Sequence, residues 1–149
     1  MKNIREIKKN NRNSDYFGLL AMMFYPILAI ASPAAGGVKR VHIPDSDLET
    51  VVRDAIDKPY RPIYVKDFEG LTELDASERG IVNLTGLEYC TDLESLGLES
   101  NKITDLSPLS HLTNLEWLWL SSNEITDLSP LSQLTNLKSL YLEIGRAHV

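Results

Sequence analysis

The residues of this chain that could do chemistry are few, and their spacing does not gather them. Its histidines, His42, His111 and His148, stand apart, and none falls into a metal-ligand spacing or a nucleophile motif. No glycine-rich phosphate loop is present. Cys90 is the only cysteine and has no partner for an internal bridge. Glu73, Asp75 and Glu99 could form an acidic patch, but three carboxylates on one surface suit solvation or contact with a basic partner better than proton transfer. The expectation is a protein with no catalytic residues, no metal and no cofactor. What remains is recognition chemistry, for which the chain offers Trp117, Trp119 and Tyr141. Such side chains give large contact area at small entropic cost.

The elements that would position these residues come from a repeat. Leu71 to Asp92, Leu93 to Asn114 and Leu115 to Asn136 are three units of 22 residues, and a fourth begins at Leu137. In the second unit the apolar residues are Leu93, Leu96, Leu98, Ile103, Leu106, Leu109 and Leu112; the third repeats them 22 residues later as Leu115, Leu118, Leu120, Ile125, Leu128, Leu131 and Leu134. A fixed period of this length headed by L-x-x-L-x-L-x-x-N is the signature of a solenoid. Within "LEWLWLSSN" the alternation is that of a strand, which sends Leu118 and Leu120 inward and Trp117, Trp119 and Ser121 outward. After the Asn the apolar residues step by three, the rhythm of extended turns and 3₁₀ helix. Pro108 and Pro130, each preceded by a Ser and an Asp that can cap, suit the opening of such a turn.

Asn101 and Asn123 stand where strand gives way to turn, and a buried amide there can bond backbone groups of adjacent coils. Without partners its burial would cost about 1–3 kcal/mol, so these are structural residues. The first unit has Arg79 in that slot and Ala76 in the second strand-leucine slot, as befits an edge repeat. Cys90 takes the slot of Leu112 and Leu134 and reads as a small core residue. Asn83 matches a glycosylation sequon in "NLT", but it shares a slot with Asp105 and Asp127, which favours capping. With "NKITDLSPLSHLTNL" and "NEITDLSPLSQLTNL" as its turns, the chain from Leu71 to Leu142 resembles the 22-residue leucine-rich repeats of bacterial internalin-type surface proteins. The resemblance implies a leucine-rich repeat solenoid, an α/β horseshoe with a parallel β-sheet on its concave face, 3₁₀ turns on its convex face and a short helical N-terminal cap. For that cap, "IPDSDLETVVRDAIDKP" supplies Ser46 and Glu49 in capping-box spacing and a stripe of Leu48, Val51, Val52, Ala55 and Ile56.

The ends read differently. A basic start, the apolar run "FGLLAMMFYPILAI" of 14 residues, and Ala29 and Ala31 in A-x-A positions have the layout of a signal peptide cleaved after Ala31. The run is short of the ~20 residues that cross a bilayer, so contact with the membrane is expected only through this segment. Its removal takes five of the 15 Lys and Arg and two of the 21 Asp and Glu, which leaves 10 against 19 and a net charge of −9 with His neutral. Such a surface repels nucleic acid. At the other end the fourth unit turns into "EIGRAHV", with Gly145 in the Asn slot, and this tail matches the translation of a sequencing adapter. The expected organisation is a signal peptide at 1–31, a linker at 32–44, an N-terminal cap at 45–70, repeats at 71–142 and an artefactual tail at 143–149, with further coils following in the natural protein.

The outward strand positions are the surface that varies between units. They read Glu73, Asp75, Ser77; Ser95, Gly97, Glu99; Trp117, Trp119, Ser121; and Ser139, Tyr141, Glu143. Trp119 and Tyr141 share one column, with Trp117 beside them. Aromatic neighbours on adjacent strands also stabilise a sheet, by about 0.2–1 kcal/mol per pair, so both roles stand at this point. The sequence points to a secreted or cell-surface module that binds a protein or glycan through its concave face. The alternative is a non-catalytic targeting segment of a larger exported enzyme.

Overall fold

The computed structural model describes residues 39–143. The expected signal peptide at 1–31, most of the expected linker and the tail from Ile144 onward lie outside the described residues. The alternating segments form four strands, β1 (Glu73–Asp75), β2 (Ser95–Gly97), β3 (Trp117–Trp119) and β4 (Ser139–Tyr141), in one parallel sheet ordered as in the chain. Their register is the repeat itself: Leu74 pairs with Leu96, Leu96 with Leu118 and Leu118 with Leu140. Parallel strands need long return connections, and each 22-residue unit supplies one that passes through a 3₁₀ segment. These segments are Leu87–Tyr89, Ser107–Leu109 and Ser129–Gln133.

The inner leucines make one continuous core. Leu93, Leu96, Leu98, Leu109, Leu112, Leu115 and Leu118 are completely buried, each contributing about 1.5–3 kcal/mol. Ala76 and Cys90 are buried with them. In the third and fourth units some of the same slots are more open, with Leu128 at 41% and Leu140 at 39% exposure. Asp105 and Asp127 each accept the backbone N–H two residues on, from Ser107 and Ser129, at 2.8 Å. Asn83 accepts from Thr85 N–H in the same way.

Asparagines tie successive coils together. The Asn101 amide donates to the carbonyls of Ala76 and Leu98, and its oxygen accepts the N–H groups of Arg79 and Ile81 at 3.0–3.1 Å. One coil on, Asn123 donates to Leu98 and Leu120 and accepts from Ile103 N–H. The residue before each slot, Glu78, Ser100 or Ser122, has a left-handed backbone with φ of 54–58°. That conformation is uncommon outside glycine and is held here by the bonds around it. A second rung escaped the sequence reading: Asn114 and Asn136 donate to the carbonyls of Thr91 and Thr113, and Asp92 in the same slot accepts from Gly70 N–H.

The cap contains helix α1 (Ser46–Ala55), and here two expectations need correction. Asp45, not Ser46, is the N-cap, and its Oδ1 accepts from Asp47 N–H and Leu48 N–H at 3.1 Å. Glu49 does not reach back to the cap; it pairs with Arg53 one turn on, at 2.7 Å. The reason is tertiary. The other oxygen of Asp45 accepts the N–H groups of Val82 and Asn83, so one carboxylate caps the helix and pins the first repeat's turn to it. Of the apolar stripe, Leu48, Val51 and Val52 are buried, Ile56 is half-buried at the C-cap, and Ala55 is exposed where the helix ends. The contact is close enough to require Gly86, whose φ is 107°: a Cβ there would lie 2.6 Å from Ile43 Cγ1.

Partial burial alone would raise the Asp45 pKa, but the four backbone donors outweigh it and hold the carboxyl below its ordinary range. The unfolded chain therefore binds the proton first. The stabilisation is complete above the unfolded pKa of roughly 3.9 and is lost as pH falls through the lower folded value. Asp45→Asn, which keeps an acceptor oxygen but no charge, is expected to flatten this acid-limb loss in denaturation melts; an unchanged limb would refute the assignment. Asn101→Ala should cost about 3 kcal/mol in chemical denaturation, because it strands buried groups of two coils. Asn123→Ala, at a half-buried position with one fewer backbone donor, should cost less.

Candidate functional site

The outward side chains of the four strands share one face of the sheet in three parallel columns. One column runs Glu73, Ser95, Trp117, Ser139 and the next Asp75, Gly97, Trp119, Tyr141, as the strand register requires. The structure thus brings together all six residues expected to form a recognition surface. Glu73, Asp75 and Tyr141 are exposed, while Glu99, Trp117 and Trp119 are half-buried.

The aromatic end of this face is ordered by contacts between neighbours. Trp119 and Tyr141 stack with ring centroids 5.5 Å apart and planes within 1° of parallel. Lys138 Nζ lies 5.1 Å from the centre of the Trp117 ring and bonds Glu116 Oε2 at 2.7 Å. Because its strand-mates fix each ring, the patch is largely organised before anything binds.

The other end is acidic and hollow. A cavity of about 520 Å³ opens over β1 and β2, lined by Glu73, Leu74, Asp75, Ser77, Ser95, Gly97, Glu99 and Trp119. Ser77 bonds the Asp75 carboxylate through its backbone N–H, at 3.1 Å, and its hydroxyl, which with Arg79 nearby holds the carboxyl below its usual range despite partial burial. Asp75 is therefore fully charged at neutral pH. Gly97 and Lys138 shape this surface without having been singled out in the sequence. Gly97 is visible there only as a gap in an otherwise occupied column.

Other reactive residues are placed elsewhere. The Cys90 thiol is buried in the core and pushed up to about 12 by burial, with a smaller push from Glu88, so it is not a nucleophile at neutral pH. His42 and His111 are exposed; His111 Nδ1 lies 3.0 Å from Ser110 Oγ, but that hydroxyl also bonds the Ser107 carbonyl beside the 3₁₀ turn. Among the described residues no His, Cys, Asp and Glu cluster could hold a metal ion.

A parallel sheet built one strand per 22-residue unit, backed by 3₁₀ turns and an asparagine ladder, defines the class: a leucine-rich repeat solenoid. A family of leucine-rich repeats in two copies matches residues 113–146. Among solved structures, the internalin InlF from Listeria monocytogenes superposes with a TM-score of 0.67 at 38% identity, over 72% of this chain and 33% of that one. Internalin C2 of the same organism gives 0.60 at 29% identity, over 74% and 62%. The functional domain of InlJ, also from Listeria monocytogenes and described as including a cysteine ladder, gives 0.57 at 32% identity, over 68% and 24%. None of the curated proteins matches the chain significantly. In its repeats the chain is similar to the internalins, and it spans about a third of the length of InlF and 62% of internalin C2.

If the aromatic patch is chiefly a contact surface, removing it should leave the fold standing. Trp119→Ala and Tyr141→Ala are each expected to lower stability by about 1 kcal/mol, with a double-mutant coupling of ~0.5–1.5 kcal/mol. Leu118→Ala, between the two tryptophans but facing inward, should cost about 3–5 kcal/mol. Denaturation curves that rank Trp119→Ala with Leu118→Ala would assign the ring to the sheet's stability instead.

Proposed function

We propose that this protein-interaction module works outside the cell, binding a protein partner through the concave face with Trp117, Trp119 and Tyr141 as anchors and Glu73, Asp75 and Glu99 as the charged border. The observation that carries the reading is the Trp119–Tyr141 stack, two large rings held parallel on an open face. Rings fixed by their neighbours lose little entropy on binding, and aromatic side chains dominate interface energetics. The constancy of the inner slots supports the same division, since the outer columns can change from unit to unit without disturbing the core.

Export by residues 1–31, with cleavage after Ala31, belongs to this proposal, as do a secreted or cell-surface location and the absence of catalysis. The acidic balance of the chain, −6 over its full length, favours a partner with basic surface over nucleic acid.

The test screens the purified chain against a panel of extracellular protein domains and a glycan array. A protein partner is expected whose affinity falls at least about tenfold with Trp119→Ala and stays unchanged with His111→Ala on the opposite, turn side. Binding that survives Trp119→Ala and fails with His111→Ala would move the site to the convex side, and binding confined to glycans would replace the partner class.

A further inference from the structure

The geometry points to a specific occupant for the hollow beside Trp119: an arginine side chain of the protein partner, its guanidinium flat on the indole and ion-paired with Asp75. This rests on the concave-face reading above and adds the chemistry of the partner.

The argument begins from the column Asp75, Gly97, Trp119, Tyr141, which the strand register sets side by side. Tyr141 covers one face of the Trp119 ring in a parallel stack. On the strand facing the other side of the ring stands Gly97, which has no side chain to cover it. Neighbouring strands are ~4.8 Å apart, so the missing side chain leaves a slot about two strand spacings wide between Trp119 and the backbone of Asp75. The Asp75 carboxylate leans into this slot: a Cβ at Gly97 would come within 2.8 Å of its Oδ1 and 3.1 Å of Ser77 Oγ. Glu73 and Glu99 border the same hollow. Arg79, whose charge acts on Asp75, lines an adjoining hollow together with Asp75, Glu73 and Asp54 and does not line this one.

The slot thus has an aromatic wall on one side, a fixed carboxylate on the other and a backbone floor. A neutral planar group would satisfy the ring and leave the three carboxylates that line this hollow with no cation inside it. An ammonium would satisfy the charge but offers no plane to stack. A guanidinium does both, stacking on aromatic faces while its fork of N–H donors engages a carboxylate.

The probe is acetyl-Gly-Arg-Gly-amide, titrated into the full chain while the two indole N–H resonances are followed by NMR. Saturable movement of the Trp119 resonance, well beyond that of Trp117, is expected at millimolar peptide. The lysine analogue should bind about two- to fivefold more weakly, and added salt should weaken both. Asp75→Asn and Gly97→Ala should each reduce arginine-peptide affinity. Gly97 has no positive φ, so alanine is tolerated by the backbone there while displacing the carboxylate. Circular dichroism of each variant confirms that the fold persists. Equal binding of the two peptides, a still Trp119 resonance, or indifference to both substitutions would overturn the inference. With the protein partner in hand the two proposals separate. Binding that needs Trp119 but ignores Asp75→Asn and Gly97→Ala keeps the concave face and discards the arginine slot, whereas binding that ignores Trp119 discards both.

Discussion

The structure depends on satisfying backbone polar groups at the point where each strand ends and the chain turns back. A solenoid coil cannot complete its own hydrogen bonding there, because the turn passes through a left-handed residue and its amides point along the stack instead of within the coil. Asn101 resolves this by accepting from Arg79 and Ile81 while donating to Ala76 and Leu98, so a single side chain closes two coils at once. Leaving such groups unpaired in the interior would cost roughly 1–3 kcal/mol each, comparable to the burial of a leucine. The ladder therefore fixes the distance between coils as firmly as the leucines do. Once that distance is fixed, every outward side chain falls into a column.

That dependence explains what could be read without coordinates. A 22-residue period forces equal register, so the strand pairs, the buried leucines and the columns of the outer face follow from counting. The role of Asn83 as a turn cap follows from the slot it shares with Asp105 and Asp127. The helix cap was not legible in the same way. Asp45 and Ser46 both have side chains able to cap, and the local pattern favoured the serine with Glu49. The choice was made by the amides of Val82 and Asn83, more than thirty residues away, which no short-range pattern contains. The second rung through Asn114 and Asn136 was present in the repeat but looked like an ordinary polar loop position, because its partners are backbone carbonyls rather than another signal residue.

The candidate site divides along the same line. Which residues share the open face was fixed by alternation, and Trp119 beside Tyr141 by the period. Their near-parallel stacking was not, since ring orientation depends on side-chain rotation and on what stands on each flank. Gly97 illustrates the difficulty most clearly. In a sequence a glycine on a strand marks weak packing or close backbone approach. Here its consequence lies in the space it leaves, which becomes meaningful only when Trp119 stands on one side and the Asp75 carboxylate leans in from the other.

A repeat protein separates stability from recognition more cleanly than a globular domain does. Inner slots and ladder positions contribute to every neighbouring coil, so a change at Leu96 or Asn101 is felt across two interfaces. An outer position such as Trp119 contributes little beyond stacking with its neighbour Tyr141, about 1 kcal/mol. Selection for binding can therefore act on the columns while the core and ladder stay uniform, and the unit that departs most from its neighbours on the outer face is the one most informative about what is bound. In this chain that unit is the third, where two tryptophans replace the Ser95 and Gly97 of the unit before. The small residues of the second unit and the large ones of the third are then two halves of one feature, since an indole can act as the wall of a slot only if the adjacent strand leaves the slot open.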